Sequence, residues 1–292
     1  VLTLSDRDLL TNYKTLRDVT GSKKLNSTFV ETVRNFKPDL ILLGHADSIK
    51  SDSLEIIKKE YPKIKISQWF LDRMDTKWKK NKIRFLDKIN FMDYSFCTTD
   101  PKALKLDKYK VSFIPNPVDE SLDDMRVYEN KYPEFDLFFA MSHGVHRGTL
   151  KKGKKDKREF FLEKLEKLGN TIKYNFFGTK NKQPIWAEEF KNELSKSKMA
   201  LNLSQGKSLK FYSSDRIAQL MGNGILTFID IETKLDKFFN KDEAVFYKNQ
   251  KDLYNKILFN KNNLKLIKKI GKNGKKKYFD KMNSKSVAFY IV

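Results

Sequence analysis

The sequence predicts an α/β protein made of two Rossmann-like domains, each a doubly wound parallel sheet, that face each other across a cleft. Three observations support this prediction. Short apolar runs alternate with amphipathic helical segments along the chain, which is the pattern of parallel strands buried on both faces. A charged segment with few apolar residues divides the chain near its middle. The 292 residues are also enough for two cores of ordinary size.

The first domain is predicted at residues 1–120, where four apolar runs are interpreted as strands separated by helical segments. The strands are expected at residues 40–43, 64–70, 94–98 and 111–114, and the clearest helices at 53–60 and 78–89. Residues 1–10 are expected to form a short strand and show no secretory signal. Because the chain begins without methionine, we also expect further residues upstream.

A second α/β series follows a linker predicted at residues 121–133. The second domain is placed at residues 134–275, and a lysine-rich tail or helix at 276–292. Its strands are expected at 137–141, 172–177, 199–203, 225–229 and 244–247, its helices at 159–168, 184–195, 215–221 and 251–259, and a glycine- and lysine-rich loop at 142–156. Pro184 is expected in the first turn of its helix, where proline is tolerated. Such sheets bind ligands at the carboxyl ends of their strands, here between the domains.

The formal net charge of +22 has two functional interpretations. Lysines crowd together near the C-terminus, at positions 261, 265, 268, 269, 272, 275, 276 and 277. Such a segment suits an anionic membrane surface or a nucleic acid. We favour the membrane, because the rest of the excess charge is diffuse and lysine-rich composition is also typical of AT-rich genomes. No apolar run approaches the ~20 residues needed to cross a bilayer.

The sequence lacks several common catalytic signatures. Its one cysteine, Cys97, lies in an apolar run and is expected to be a small buried side chain, which indicates a reducing compartment such as the cytoplasm. No Walker phosphate loop, Gly-x-Gly-x-x-Gly motif or Gly-x-Ser-x-Gly elbow occurs. Asp230 and Glu232 follow a predicted strand and are interpreted as loop residues, not as a metal-binding Asp-x-Asp pair.

The most informative segment is residues 202–230, in which a basic loop leads into a short helix. Ser214 is predicted as the N-cap of that helix. The N–H groups at a helix start attract anions, and Lys207 and Arg216 would strengthen this attraction for a phosphate. Gln219 is three residues from Arg216, on the same helix face, where it could meet a ribose hydroxyl. An ordinary capped helix with a surface arginine is the alternative.

This segment resembles the donor-binding stretch of GT-B glycosyltransferases, in the family-1-like group that includes spore-maturation-type transferases. The resemblance rests on residues 214–219, Ser-Asp-Arg-Ile-Ala-Gln, on the Gly-Asn-Gly turn at 222–224, and on the C-terminal stretches 242–247 and 277–287. It implies a GT-B enzyme that uses a nucleotide-sugar donor and needs no bound metal. Gln219 departs from the family, which usually has a glutamate there to hold the ribose.

The resemblance also implies which residues bind the donor. The segment before and within the short helix contributes Lys207, Tyr212, Ser213, Ser214, Asp215, Arg216 and Gln219. The loop after the strand at 137–141 approaches the donor phosphates with Ser142, His143 and Arg147, and Gly178 ends another strand of the same pocket. Solvated loop histidines are the alternative for His143 and His146. Their spacing also suits a metal, but no Cys, Asp or Glu nearby completes such a site.

The first domain is expected to hold the acceptor, with His45 and Asp72 as candidate catalytic bases. Each follows a predicted buried strand, at the edge where ligands bind. An inverting transferase needs a base within hydrogen-bond reach of the acceptor hydroxyl. A retaining one needs only stabilisation of the leaving phosphate, which Lys207 and Arg216 could supply. A structural hydrogen bond is the alternative for His45, and a helix cap for Asp72.

The sequence therefore predicts a metal-independent glycosyltransferase in the cytoplasm, at the inner face of the membrane through its basic C-terminal helix. Its donor is predicted to be a nucleotide sugar, and its acceptor a cell-surface glycan or a lipopolysaccharide- or capsule-type precursor. Two other classes of function stay open. One is a basic nucleic-acid-binding protein, which the charge alone favours. The other is a GT-B-shaped binding module without catalysis, which Gln219 suggests.

Overall fold

The structure is a computed structural model that describes residues 1–142, 145–146, 149–150, 157–180 and 182–292. The chain divides into two compact units. Unit 1 comprises residues 1–114 together with 291–292, and unit 2 comprises residues 115–290. Each unit is built on a parallel β-sheet with helices between most of the successive strands, which confirms the predicted pair of Rossmann-like α/β domains.

Unit 1 has a four-stranded sheet in which the strands lie side by side in chain order. The strands are β1 (Leu40–Gly44), β2 (Lys65–Phe70), β3 (Tyr94–Cys97) and β4 (Val111–Phe113). The helices are α1 (Asp6–Asn12), α2 (Ser22–Phe36), α3 (Ser51–Glu60) and α4 (Lys79–Asp87), with 3-10 turns at Thr76–Trp78 and Ile89–Phe91. Aliphatic side chains from α2, α3, β1 and β2 form the main core of the unit, as expected for helices that bury an apolar stripe against a sheet.

The predicted strand at residues 1–10 is wrong, because this segment contains helix α1. Ser5 is its N-cap and accepts a hydrogen bond from the N–H of Asp8 at 3.4 Å, while acidic residues occupy the first turn. Both features stabilise a helix start. Leu9 and Leu10 of this helix pack against the core of unit 1.

Cys97 is buried, as predicted. Its thiol donates to the carbonyl oxygen of Thr99 at 3.2 Å. Burial raises the pKa of this thiol to about 12. The side chain is therefore an uncharged part of the core and not a reactive nucleophile.

Unit 2 contains a five-stranded parallel sheet and a short antiparallel hairpin. The sheet strands are β5 (Phe135–Ala140), β8 (Tyr174–Phe177), β9 (Ser197–Asn202), β10 (Leu226–Asp230) and β11 (Val245–Tyr247), and the hairpin strands are β6 (Val145–His146) and β7 (Thr149–Leu150). The helices are α5 (Lys157–Glu166), α6 (Ala187–Ser195), α7 (Arg216–Gly222), α8 (Gln250–Lys261), α9 (Leu264–Met282) and α10 (Ser284–Ile291), with 3-10 turns at Val127–Glu129, Ile231–Thr233 and Leu235–Lys237.

The sheet of unit 2 reverses its winding direction between β5 and β9. Its strand order is β11-β10-β9-β5-β8, so the chain adds β8 on one side of β5 and then returns to place β9 on the other side. Alternate residues of β5 enter different cores. Leu137 and Phe139 pack with side chains of α5, α8 and α9, while Phe138 and Ala140 pack with α6 and α7. Helices thus cover both faces, which explains the continuous apolar runs of these strands.

Two local predictions in unit 2 are wrong. Pro184 lies outside its helix, since α6 begins at Ala187 after an extended Trp186. The predicted loop at 142–156 contains the hairpin of β6 and β7.

The segment predicted as a linker, residues 121–133, belongs to unit 2, where the Val127 N–H donates to the Asn223 carbonyl oxygen at 3.0 Å.

Candidate functional site

Arg216 lies at the carboxyl edge of the unit 2 sheet, at the point where the winding reverses. Its Nε donates to the carbonyl oxygen of Ala140, the last residue of β5, at 3.1 Å. Its Nη1 donates to the carbonyl oxygen of Leu203, which follows β9, at 3.0 Å. The guanidinium therefore joins the ends of β5 and β9. In open α/β sheets this switch point is where ligands bind.

The guanidinium of Arg216 is held rigidly and keeps one nitrogen available. Nη1 also donates to Oγ of Ser214 at 3.0 Å, and the group stacks over the Phe139 ring at 5.0 Å from its centroid. In the part of the chain that the structure describes, Nη2 makes no hydrogen bond. A charged group with a fixed position and an unused N–H pair is suited to bind an anion.

The electrostatic environment of Arg216 also favours an anion. Part of the side chain is exposed, but protein surrounds the guanidinium. Burial, together with the positive charge of Arg158, lowers its pKa to about 10. Arg158 lies in the first turn of α5 and was not among the predicted site residues. Two neighbouring cations that repel each other gain free energy when a phosphate binds to both.

The start of helix α7 differs from the prediction. Ser214 is not its N-cap, because Asp215 holds that position without a side-chain cap and Ser214 Oγ accepts from Arg216. The N–H groups of Ile217 and Ala218 already donate to the carbonyl oxygens of Ser214 and Asp215, at 3.2 Å and 3.0 Å. The predicted attraction of a phosphate to free N–H groups of this helix is therefore wrong for these two groups. The positive charge comes from side chains instead.

The other predicted residues of this segment differ in how far they are exposed to solvent. Tyr212 is half-buried and close enough to raise the pKa of Arg216, and Ser213 is buried. Lys207 and Gln219 are exposed to solvent. In the described residues the side chain of Gln219 makes no hydrogen bond, so its amide is available to a ligand.

The predicted residues around β5 and β8 are only partly described. Ser142 is exposed just after β5, whereas His143 and Arg147 lie outside the described residues. Gly178, which follows β8, has a φ of +73°, and a Cβ added there would lie 1.6 Å from the carbonyl oxygen of Met141. Its role is therefore to let two strand ends approach closely, since no larger residue fits.

In unit 1, His45 occupies a strained turn at the carboxyl end of β1. His45 and Ala46 both have positive φ angles, +61° and +31°, which residues other than glycine rarely adopt. The backbone N–H of Leu71 donates to Nε2 of His45 at 3.4 Å, and the His45 ring lies 4.4 Å from that of Phe70. The structural hydrogen bond considered as an alternative for His45 is thus present.

Asp72 lies one residue beyond that hydrogen bond and is exposed. Its carboxylate makes no hydrogen bond within the described residues, and the next 3-10 turn has Asp75 at its N-cap position. The alternative role of Asp72 as a helix cap is therefore wrong. The adjacent strands β1 and β2 bring His45 and Asp72 to the same edge of the sheet.

A second group of charges contacts Ala46 and Asp47, the two residues that follow His45, and was not apparent from the sequence. Lys88 is buried, and its ammonium donates to the carbonyl oxygen of Ala46 at 2.5 Å. Arg84 binds Oδ2 of Asp47 at 2.6 Å, while Oδ1 of Asp47 is buried without a partner among the described residues. Lysines are frequent in this chain, so nothing in the sequence distinguishes Lys88 from surface lysines.

The described residues contain no group of three or more His, Cys, Asp or Glu side chains arranged for a metal ion. Each of their helices is too short or too polar to span a bilayer.

Solved structures similar to this chain define its class. TarM, whose S. aureus form is among them, superposes with a TM-score of 0.61 at 13% identity, over 91% of this chain and 57% of TarM. HepE of Anabaena gives 0.60 at 11% identity, over 96% and 83%. Sucrose-phosphate synthase of Thermosynechococcus elongatus gives 0.57 at 12% identity, over 92% and 76%. The chain therefore has the GT-B fold and spans little more than half of TarM.

A protein-family model also matches part of the chain. Residues 155–291, just under half of the chain, match the family model described as glycosyl transferase-like. The predicted resemblance to GT-B glycosyltransferases is thereby confirmed, while the likeness to spore-maturation-type enzymes stays a prediction. None of the curated proteins matches the chain by sequence.

Proposed function

We propose that this protein is a glycosyltransferase that binds a nucleotide-sugar donor at the carboxyl edge of the unit 2 sheet. The observation that carries the proposal is the guanidinium of Arg216, fixed between β5 and β9 with Nη2 unpaired in the described chain. The family match covers the residues that follow β7, including Arg216. HepE was crystallised with UDP-glucose and TarM with UDP, which supports a uridine nucleotide as the donor here.

The reaction places its largest charge change at the diphosphate. The bond between the anomeric carbon and the diphosphate oxygen breaks, and the electron pair stays on the diphosphate. The acceptor oxygen forms the new bond to the anomeric carbon and loses its proton. Arg216, Arg158 and Lys207 would neutralise the departing diphosphate, a role that preorganised cations fill well. We therefore propose that side chains provide this neutralisation without a bound metal.

We propose that the acceptor hydroxyl is bound at the carboxyl edge of the unit 1 sheet. His45 is supported there by its strained backbone, a feature that often marks functional sites. Among the described residues its Nε2 has only a long hydrogen bond, at 3.4 Å, and could take the acceptor proton in an inverting reaction. Asp72 is exposed at the same edge and is the second candidate base. In a retaining reaction the departing phosphate would take the proton.

The acceptor is proposed to be a cell-surface glycan or a lipopolysaccharide- or capsule-type precursor assembled at the cytoplasmic face of the membrane. The exposed side of α9 supports this with Lys265, Lys272 and Lys276, and α10 exposes Phe289. Exposed lysines and exposed aromatic side chains both suit an anionic lipid surface. Lys275 is not part of this surface, because its ammonium donates to three backbone carbonyls.

The donor site is tested by calorimetric titration with UDP and UDP-glucose and by release of UDP from the donor. Arg216→Ala is expected to weaken UDP binding on the order of 100-fold. Arg126→Ala is the matched control, since Arg126 is exposed and pairs only loosely with Glu129 at 3.5 Å. Melting curves of both variants separate lost binding from lost folding. Unchanged UDP binding in folded Arg216→Ala would contradict the assigned site.

The membrane proposal is tested by sedimentation with vesicles of phosphatidylglycerol or of phosphatidylcholine. Wild-type protein is expected to bind only the anionic vesicles, and Lys272→Glu with Lys276→Glu to lose most of this binding. Lys23→Glu with Lys24→Glu makes the same charge change on exposed residues of unit 1 and is expected to retain it. Tight, salt-dependent binding to DNA with no vesicle binding would instead support the nucleic-acid alternative.

A further inference from the structure

A buried chain of hydrogen bonds connects helix α9 with the loop that precedes Arg216. The hydroxyl of Tyr278, in α9, donates to the carbonyl oxygen of Asn116 at 2.8 Å. The side-chain amide of Asn116 donates in turn to the carbonyl oxygen of Ser213 at 3.1 Å. Ser213 immediately precedes Ser214, whose Oγ accepts from the guanidinium of Arg216. We name this set of bonds the relay.

The relay also closes the base of the loop between β9 and α7. Nδ2 of Asn202, the last residue of β9, donates to Oγ of Ser213 at 3.1 Å. The Ser213 hydroxyl lies 3.0 Å from the carbonyl oxygen of Ser214 and can donate to it. The carbonyl oxygen of the next residue, Leu203, accepts a hydrogen bond from Arg216. The start of the loop, at residues 202–203, is therefore bonded to its end, at residues 213–216.

Burial makes the relay rigid. Asn116, Ser213, Asn202 and Tyr278 are each less than a tenth exposed. Water therefore cannot replace a broken bond, and each donor or acceptor left unpaired would carry its full desolvation penalty. The relay consequently holds the backbone of Ser213 in place, and with it the position of the neighbouring Ser214 hydroxyl.

We propose that Tyr278 and Asn116 are positioning residues for binding of a nucleoside diphosphate by Arg216. Neither is proposed to touch the ligand. They act through Ser213 and Ser214, which orient the guanidinium so that Nη2 faces the phosphate. This inference rests on the proposed function, since it requires that a nucleotide binds at Arg216.

Tyr278→Phe is the most direct variant, because it removes one hydroxyl and keeps the ring. Calorimetry with UDP, GDP and ADP, each tested separately, is expected to show about five- to tenfold weaker binding of the preferred nucleotide, the effect of losing one buried hydrogen bond. Ser213→Ala is expected to show a similar loss, and Ser213→Thr, which keeps the hydroxyl, to restore most of it. Tyr254→Phe is the matched control, since in the described part of the chain the Tyr254 hydroxyl bonds only Thr171, at 3.4 Å.

A double-variant comparison distinguishes positioning from general stability. In an Arg216→Lys background, where the guanidinium is absent, Tyr278→Phe is expected to change nucleotide affinity less than twofold. If wild-type protein binds a nucleotide but Tyr278→Phe does not weaken it, or weakens it equally with Lys at position 216, the relay proposal is overturned and the proposed function stands. If folded wild-type protein binds none of the three nucleotides, the proposed function fails and the relay proposal fails with it.

Discussion

The two units share an α/β design but differ in how their sheets are wound. In unit 2 the order β11-β10-β9-β5-β8 creates a reversal, and Arg216 joins the two strand ends at that point. In unit 1 the described strands follow chain order, so no reversal marks a binding position. The candidate site of unit 2 therefore follows from topology, whereas that of unit 1 depends on local backbone strain at His45.

The strand ends differ in the same way. In unit 2 the chain leaves the carboxyl end of β8 through Gly178, a position at which only glycine fits. In unit 1 the corresponding turn after β1 forces His45 and Ala46 into positive φ, and the buried ammonium of Lys88 holds the Ala46 carbonyl. Close packing is thus achieved by a missing side chain in one unit and by a strained backbone in the other. The following predictions test this difference, from the largest expected effect to the smallest.

The largest effect is expected from Gly178→Ala. The new Cβ would lie 1.6 Å from the Met141 carbonyl oxygen at a positive φ, so unfolding should become easier by more than about 4 kcal/mol or the protein should not fold. Gly44→Ala is the matched variant at the end of β1, where the atom nearest to the Cβ would be Nε1 of the Trp69 side chain, at 3.0 Å. Its expected cost is below about 1 kcal/mol in urea denaturation. Equal costs would contradict the described difference.

The second effect concerns catalysis in unit 1. His45→Gln is expected to lower kcat for sugar transfer about 100-fold, the usual contribution of a general base, and to leave UDP affinity unchanged. Rate measurements with a saturating donor and calorimetry check the two parts. A loss of UDP binding would mean that unit 1 takes part in donor recognition, which would contradict the assignment of the donor to unit 2.

The third effect compares two carboxylates that anchor the sheets. Burial raises the pKa of Asp136, but the Lys173 N–H at 3.0 Å and the Lys198 ammonium at 2.7 Å lower it by more. In unit 1, burial raises the pKa of Asp93 and the Lys58 ammonium helps to lower it by more, but this carboxylate is more exposed than that of Asp136. Asp136→Asn should therefore destabilise the protein by about 2 kcal/mol, and Asp93→Asn by less.

Both carboxylates have a pKa below the ordinary value of 3.8, so their stabilising effect is present above that pH. It is lost as the pH falls through the folded-state pKa. Urea denaturation at pH 7 and at pH 3 should show that the two variants differ from wild type at pH 7 and approach it at pH 3. A difference that stays constant with pH would show that these carboxylates do not act through their charge.

The smallest effect concerns Lys88. Burial lowers the pKa of its ammonium, so the unfolded chain binds this proton more tightly than the folded protein. Stability should consequently rise with pH as the pH approaches the unfolded value near 10.5, by less than about 1 kcal/mol. Comparing wild type with Lys88→Met in alkaline buffers isolates this slope. Parallel curves for the two proteins would contradict it.

The sequence predicted the strands well, because apolar runs such as 137–141 are long enough to be buried on both faces. It failed where one hydrogen bond decides the local structure. Ser5 caps α1 although the preceding residues look like a strand. The sequence indicates Arg216, but it does not indicate Arg158 or the long-range bonds of Arg216 to Ala140 and Leu203. Such partners are distant in sequence, so no local pattern indicates them.

Hydrogen–deuterium exchange with and without UDP tests the central claim most directly, because it reports on both units in one experiment. Bound UDP is expected to slow exchange of backbone amides at the end of β9, in residues 203–216 and at the start of α5. Exchange at the carboxyl edge of unit 1, around His45 and Asp72, is expected to stay unchanged. Slower exchange only at that edge, or only along α9, would contradict the placement of the donor at the switch point of unit 2.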